Sequence, residues 1–253
     1  MKNLFLAWQD PRSHAWFPIG RLSVEHSSYR FVYIQGAEDA RQKSGFQPLE
    51  AFPSFDQIYE SEELFALFAN RLPPASRTDY TNFVDYLNLS PSEKDPIVLL
   101  GRSSGERMTD TMQVFPEPEK SADGFYVTRF FANGINHLPE SSLQRIEQLK
   151  AGERLRLMKD IQNTYEGSAL LLRTNAEVDG DLHIVGYCPR YLLDDAVTII
   201  DQCSDVATMI RIEVERINLP PAPKKFRVLC KMSARWPNGF QPFTSSKYLP
   251  INR

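Results

Sequence analysis

The chain has 253 residues, of which 42% are hydrophobic and 24% charged, a mixture that fits one large folded domain or two small ones and excludes a disordered chain. No apolar run reaches the ~18 residues of a membrane span, and the Met1–Asp10 stretch is too poor in apolar residues for a signal peptide. The net charge of −3 excludes a uniformly basic binder, and the three cysteines (Cys188, Cys203, Cys230) form no CxxC pair, so the expectation is a cytoplasmic, soluble protein without a disulfide framework. In chain order, Leu22–Val24 and Tyr29–Ile34 read as strands, the second rich in aromatic and β-branched residues. Leu64, Phe65, Leu67 and Phe68 recur at helical spacing and predict an amphipathic helix over residues 60–70, stopped by Pro73-Pro74. Asp79–Leu89 predicts a second helix, with Phe83 and Leu87 on one side.

The stretch Pro116-Glu117-Pro118-Glu119-Lys120-Ser121-Ala122-Asp123-Gly124 cannot easily continue a helix or a central strand. It divides the chain into residues 1–116, a linker at 117–124 and residues 125–253. Beyond it, Phe125–Phe131 reads as an aromatic strand. Ser141 and Gln144 form a capping box for a helix bearing Leu143, Ile146 and Leu149, ended by Gly152. Leu155–Met158, Ala169–Leu172 and His183–Tyr187 read as strands, Tyr191–Gln202 as a helix, and Met209–Ile217 and Lys225–Met232 as closing strands. The expected class is α+β: a small β-rich N-terminal domain with helices, then a small, partly closed antiparallel barrel with a helix across it.

Charge is unevenly spread. Residues 1–118 carry 11 Lys+Arg against 16 Asp+Glu, whereas residues 211–253 carry nine basic residues and only Glu213 and Glu215 as acids. Such a tail suits phosphate contacts, or equally a strand edge guarded by charge against aggregation.

Two ordered segments of the second half resemble the HIRAN family. Asn163-Thr164-Tyr165-Glu166-Gly167-Ser168-Ala169-Leu170 matches the family's Asn-Pro-Tyr-Asp-x-Asn-Ala-Ile, with Pro, Asp, Asn and Ile replaced. Val185-Gly186-Tyr187-Cys188-Pro189-Arg190 matches its Gly-Tyr-(apolar)-Pro-Arg signature, at the expected spacing. The resemblance implies an OB-like barrel that binds single-stranded DNA by capturing its 3′ end, with no cofactor. By the family pattern, Phe130 and Tyr165 would sandwich a terminal base, Arg129 and Arg190 would meet phosphates, and Glu166 would accept a hydrogen bond from the 3′-hydroxyl. Phe226, flanked by Lys225 and Arg227, supplies a further ring between cations, the combination that single-strand binding needs. Each residue has a structural alternative. One of Phe130 and Phe131 faces the core, Tyr165 could cover the core edge, and Arg190 could pair with Asp194.

The first half resembles the N-terminal subdomain of HipA-type kinases, through Ile19-Gly20-Arg21-Leu22, Phe31, Pro48-Leu49, Phe52-Pro53, Phe68-Ala69-Asn70-Arg71-Leu72-Pro73 and Leu99-Leu100-Gly101-Arg102. That resemblance implies docking of a protein partner in a toxin–antitoxin or genome-defence setting, without phosphoryl transfer. No Walker A lysine, GxSxG elbow or HExxH spacing is present, and no enzymatic activity is expected. The expectation is a non-catalytic adaptor, with a protein-interaction or inhibitory module that binds no nucleic acid as the alternative.

Overall fold

A computed structural model describes residues 2–25, 28–160, 169–175, 182–202 and 210–252. The chain divides into two units. The front unit takes residues 1–85, 89–117 and 241–253, and the rear unit takes 86–88 and 118–240.

Alternating apolar residues build the front sheet from β1 (Lys2–Gln9), β2 (Trp16–Glu25), β3 (Ser28–Tyr33), β4 (Tyr59–Ser61) and β5 (Met112–Pro116), in the order β4-β3-β2-β1-β5. On one face Leu4, Leu6, Ile19, Phe31 and Tyr33 pack with Phe52 and Phe68. Helix α1 (Gln35–Ser44) lays Ala37 and Ala40 on the same core. The phenol of Tyr33 accepts from the Leu49 amide at 2.7 Å and donates to the Phe52 carbonyl at 2.8 Å, so the loop over the core has no orphaned groups there. The opposite face is filled by Phe5, whose ring lies 5.1 Å from Phe243 and 5.3 Å from Tyr248. The last residues of the chain, assigned to the rear half by the sequence, thus pack within the front unit. Backbone bonds from Gln35 to Leu249 and from Ile251 to Tyr33 fix them there.

The helix expected over 60–70 is smaller than its periodicity suggests. Residues 59–61 pair with β3, and only Ala66–Ala69 (α2) is helical. The aromatic clustering that mimics a helical face instead serves the core, where Phe65 meets Phe52 edge-on at 5.1 Å. Helices α3 (Tyr80–Tyr86) and α4 (Pro96–Ser103) follow, the latter capped by Asp95 accepting from Ile97 at 2.9 Å.

The rear sheet contains β6 (Glu119–Lys120), β7 (Phe125–Phe131), β8 (Arg154–Lys159), β9 (Leu170–Thr174), β10 (Ile184–Tyr187), β11 (Arg211–Ile217) and β12 (Val228–Arg235). Their order is β10-β9-β8-β11-β12-β7-β6, antiparallel throughout. The stretch read as a linker therefore contributes an edge strand. One bridge, with Asn133 and Tyr187 exchanging both amide bonds at 2.9 Å, joins the chain just beyond β7 to β10, so the sheet curls towards closure without a continuous ladder. Gly186, at φ +148, permits that approach, because a Cβ there would lie 2.8 Å from the Asn133 carbonyl oxygen. The α+β class expected from the sequence is the one observed.

Helix α5 (Glu140–Gln148) starts one residue before the expected cap, with Pro139 at the N-cap position and no side-chain cap bond, so Ser141 lies inside the helix. Helix α6 (Leu193–Gln202) opens on Asp194 and Asp195, and the phenol of the buried Tyr126 donates to Asp195 at 3.3 Å. Burial, reinforced by that carboxylate, pushes the Tyr126 phenol far above its ordinary value. Among the described residues no helix is long and apolar enough to cross a membrane, and no grouping of three or more His, Cys, Asp or Glu could hold a metal.

Candidate nucleic-acid interface

Cross-strand register decides which residues of the rear sheet share a face, since side chains alternate sides along a strand and directly paired residues point the same way. The row Thr174–Leu155–Ile212–Met232–Thr128 runs across β9, β8, β11, β12 and β7, and all of it is buried. That row defines the inner face. One residue to either side lies the outer face, whose residues flanking that row are all half-buried or exposed; further along, at the paired Phe131 and Leu229, it is covered.

Two rows of the outer face carry most of its charge. Arg154, Glu213, Lys231 and Arg129 are paired in turn across β8, β11, β12 and β7. In the next row Arg173 on β9 pairs with Arg156 on β8. Arg211 on β11 lies one residue beyond the Ile212–Leu155 pair, on the side of Arg156, and pairs with Ser233. Arg235, opposite Phe125, and Arg216, opposite Leu229, complete the set. Among the described residues this face therefore bears eight cations (Arg129, Arg154, Arg156, Arg173, Arg211, Arg216, Lys231, Arg235) and three carboxylates (Glu119, Glu213, Glu215). Two of the acids are engaged locally. Glu215 receives Arg129 at 2.6 Å and the Asn88 side-chain amide at 3.0 Å, and Glu213 pairs with Arg211.

Like charges directly opposite one another on neighbouring strands destabilise a sheet. Arg156 and Arg173 are such a pair, and their guanidinium groups bond to different partners. Arg156 donates to Asn175 at 3.0 Å, and Arg173 donates to the Met158 sulfur and the Thr174 carbonyl. One residue pair further on, Met158 (43% exposed) faces Leu171, which faces Tyr187. The hydroxyl of Tyr187 donates to Asp160 at 3.1 Å, and burial together with that carboxylate raises its pKa.

The residues expected from the sequence distribute differently. Arg129 is on the outer face, tied to Glu215. Phe130 is 2% exposed and cannot stack on a base from solution, because the alternation that sends Arg129 outward sends Phe130 into the core. Phe226 is buried too, its ring 5.2 Å from Phe131. Arg227 is buried and donates to the Ala222 carbonyl at 3.0 Å with Glu147 at 3.8 Å, so it braces a loop instead of meeting phosphate. Lys225 is exposed, its ammonium 5.1 Å from the Phe226 ring, in a turn separate from the outer face. Arg190 is half-buried at the start of a 3-10 turn after β10. Tyr165 and Glu166 lie outside the described residues, in the segment between β8 and β9.

Arg154, Arg156 and Arg173 are thus surface cations that sequence reading passes over, whereas Arg211, Lys231 and Arg235 belong to the basic stretch 211–253 that it marked for phosphate contacts. Their signal was present as period-two charge: Arg154-Leu155-Arg156-Leu157 and Lys231-Met232-Ser233-Ala234-Arg235 alternate cation or hydroxyl with apolar residues.

No family model matches the chain, and no curated protein matches it. The resemblance of the front half to HipA-type subdomains gains no support from either comparison. Among solved structures, a protein from Lactobacillus plantarum is 16% identical, with a TM-score of 0.33, over 44% of this chain and 97% of its own. The HIRAN domain of human HLTF is 18% identical, with a TM-score of 0.29, over 45% of this chain and 81% of its own. Likeness at these levels assigns no ligand to the chain.

Proposed function

We propose that the rear unit binds nucleic acid, with single-stranded DNA as its ligand, through the cationic outer face of its sheet and without catalysis. The observation that carries this reading is the row Arg173–Arg156 with Arg211 beside it, a concentration of guanidinium groups that the fold tolerates at a cost and that a polyanion would relieve. The two engaged carboxylates offset only part of it. Phosphate neutralisation supplies most of the affinity in such contacts and makes it fall steeply with salt.

Fluorescence anisotropy of the full chain with a labelled single strand tests the reading. Binding that weakens with ionic strength and is abolished in the double variant Arg156→Glu/Arg173→Glu is the expected result. Absent or salt-insensitive binding overturns it. Selectivity for a free 3′-hydroxyl is a separate part of the proposal and rests on the sequence resemblance at Tyr165 and Glu166. Equal affinity for strands ending in a 3′-hydroxyl and a 3′-phosphate would remove it.

Docking of a protein partner is the role we assign to the front unit. In support, Met108 stands fully exposed (104%) on a loop held by the buried Arg71, which pairs with Asp110 at 2.8 Å and donates to the Gly105 carbonyl at 2.9 Å. Isolation of the chain from its native cell after nuclease treatment should retain a stoichiometric protein, and Met108→Asp should release it.

A further inference from the structure

Beside the row of arginines the outer face carries an apolar row. Met158 pairs with Leu171 across β8 and β9, two residues along each strand from Arg156 and Arg173. Along a strand that offset is about 6.8 Å. The alternation of β8 would place a polar residue at 158, after Arg154 and Arg156, yet a methionine stands there with 43% of its surface exposed. The two rows touch, since Arg173 donates to the Met158 sulfur.

We infer that a single strand crosses this face perpendicular to the β-strands, with phosphates over Arg173, Arg156 and Arg211 and bases lying on Met158 and Leu171. This rests on the nucleic-acid reading above and adds a requirement to it, namely that unstacked bases contribute to binding. A duplex or an inorganic polyanion meets the cations but presents no base face to the apolar row, because paired bases are stacked on one another. A single strand satisfies both rows at once. Neighbouring strands lie about 4.8 Å apart, so the arginine row on β9, β8 and β11 is wide enough for only a few nucleotides. Met158 and Leu171 are then specificity-determining residues, separating single strands from other polyanions, and neither belongs to the sequence motifs that suggested the ligand.

The test uses the full chain and three ligands of equal length: an oligothymidine, the corresponding abasic deoxyribose-phosphate oligomer, and a duplex. The expected result is that the oligothymidine binds about tenfold or more tightly than the abasic oligomer, the ratio that one or two base contacts supply. In Met158→Ser and in Leu171→Thr, each checked for a native circular dichroism spectrum and melting transition, that ratio shrinks. Equal binding of oligothymidine and abasic oligomer by the unaltered protein overturns the inference and leaves the nucleic-acid reading standing. An unchanged ratio in both folded variants also overturns it. If none of the three ligands binds in a salt-dependent way, the underlying reading falls instead.

Discussion

Arg156 and Arg173 face each other in a place where a fold selected for stability alone would put opposite charges. Replacing Arg173 with Glu converts a repulsive cross-strand pair into an attractive one, which should stabilise the folded protein by about 0.2–1 kcal/mol. The same change should weaken nucleic-acid binding, so thermal melting and anisotropy are expected to move in opposite directions. At Gly186 the constraint is geometric. A methyl group there would meet the Asn133 carbonyl at 2.8 Å and the Ala132 side chain at 3.0 Å, at a φ that side chains rarely adopt. Gly186→Ala should cost on the order of 1–3 kcal/mol in chemical denaturation. Cys188 and Cys230 are both buried, and burial pushes both thiols well above the ordinary range. Peptide mapping after brief alkylation at mildly alkaline pH should find both unmodified in the native protein and labelled once it unfolds. At this scale the sequence motif contained Gly186 without revealing why, and the reading that set Phe130 against a base is overturned by its burial. Hydrophobicity announces that a ring matters, while only its partner strand decides which way it points.

Elements were legible where their pattern is local. The strands from β7 to β12 follow alternation, and helix α6 follows its apolar periodicity; each falls within a few residues of its expected place. The helix expected over 60–70 failed because aromatic residues that serve one core can fall at helical spacing without forming a helix. The outer-face arginines were invisible as a group, since Arg156, Arg173 and Arg211 sit on three strands and become neighbours only through register. The tail is the extreme case. Nothing near Phe243 or Tyr248 in the sequence points to Phe5 and Phe115, yet the four rings form one cluster, with Phe243 lying 5.6 Å from Phe115 and 4.7 Å from Tyr248. Phe243→Ala should therefore destabilise the front unit by about 3–5 kcal/mol. Hydrogen exchange should show the loss of protection in β1 and β5.

For the molecule as a whole, charge is partitioned by surface and not by net balance. A chain of net charge −3 still presents a strongly cationic sheet face, because 18 of its 29 basic residues lie beyond residue 118 while the acids are split evenly, 16 on either side. If that face meets phosphates, the slope of log affinity against log salt should lie near −0.7 for each phosphate contacted by a single strand. Removing Arg154 as well as Arg156 should flatten it stepwise. A slope near zero would mean that the cations are not the contact surface.

The return of residues 241–253 to the front unit makes residues 118–240, the bulk of the rear unit, an insert, entered at Pro118 and left at Phe240. All five front strands are synthesised first, but the rings that seal their second face emerge from the ribosome only after the entire insert has been made. Nascent front units therefore wait with Phe5 and Phe115 uncovered. Chaperone dependence during translation should track the length and folding speed of the inserted segment more than the sequence of the sheet that waits for it.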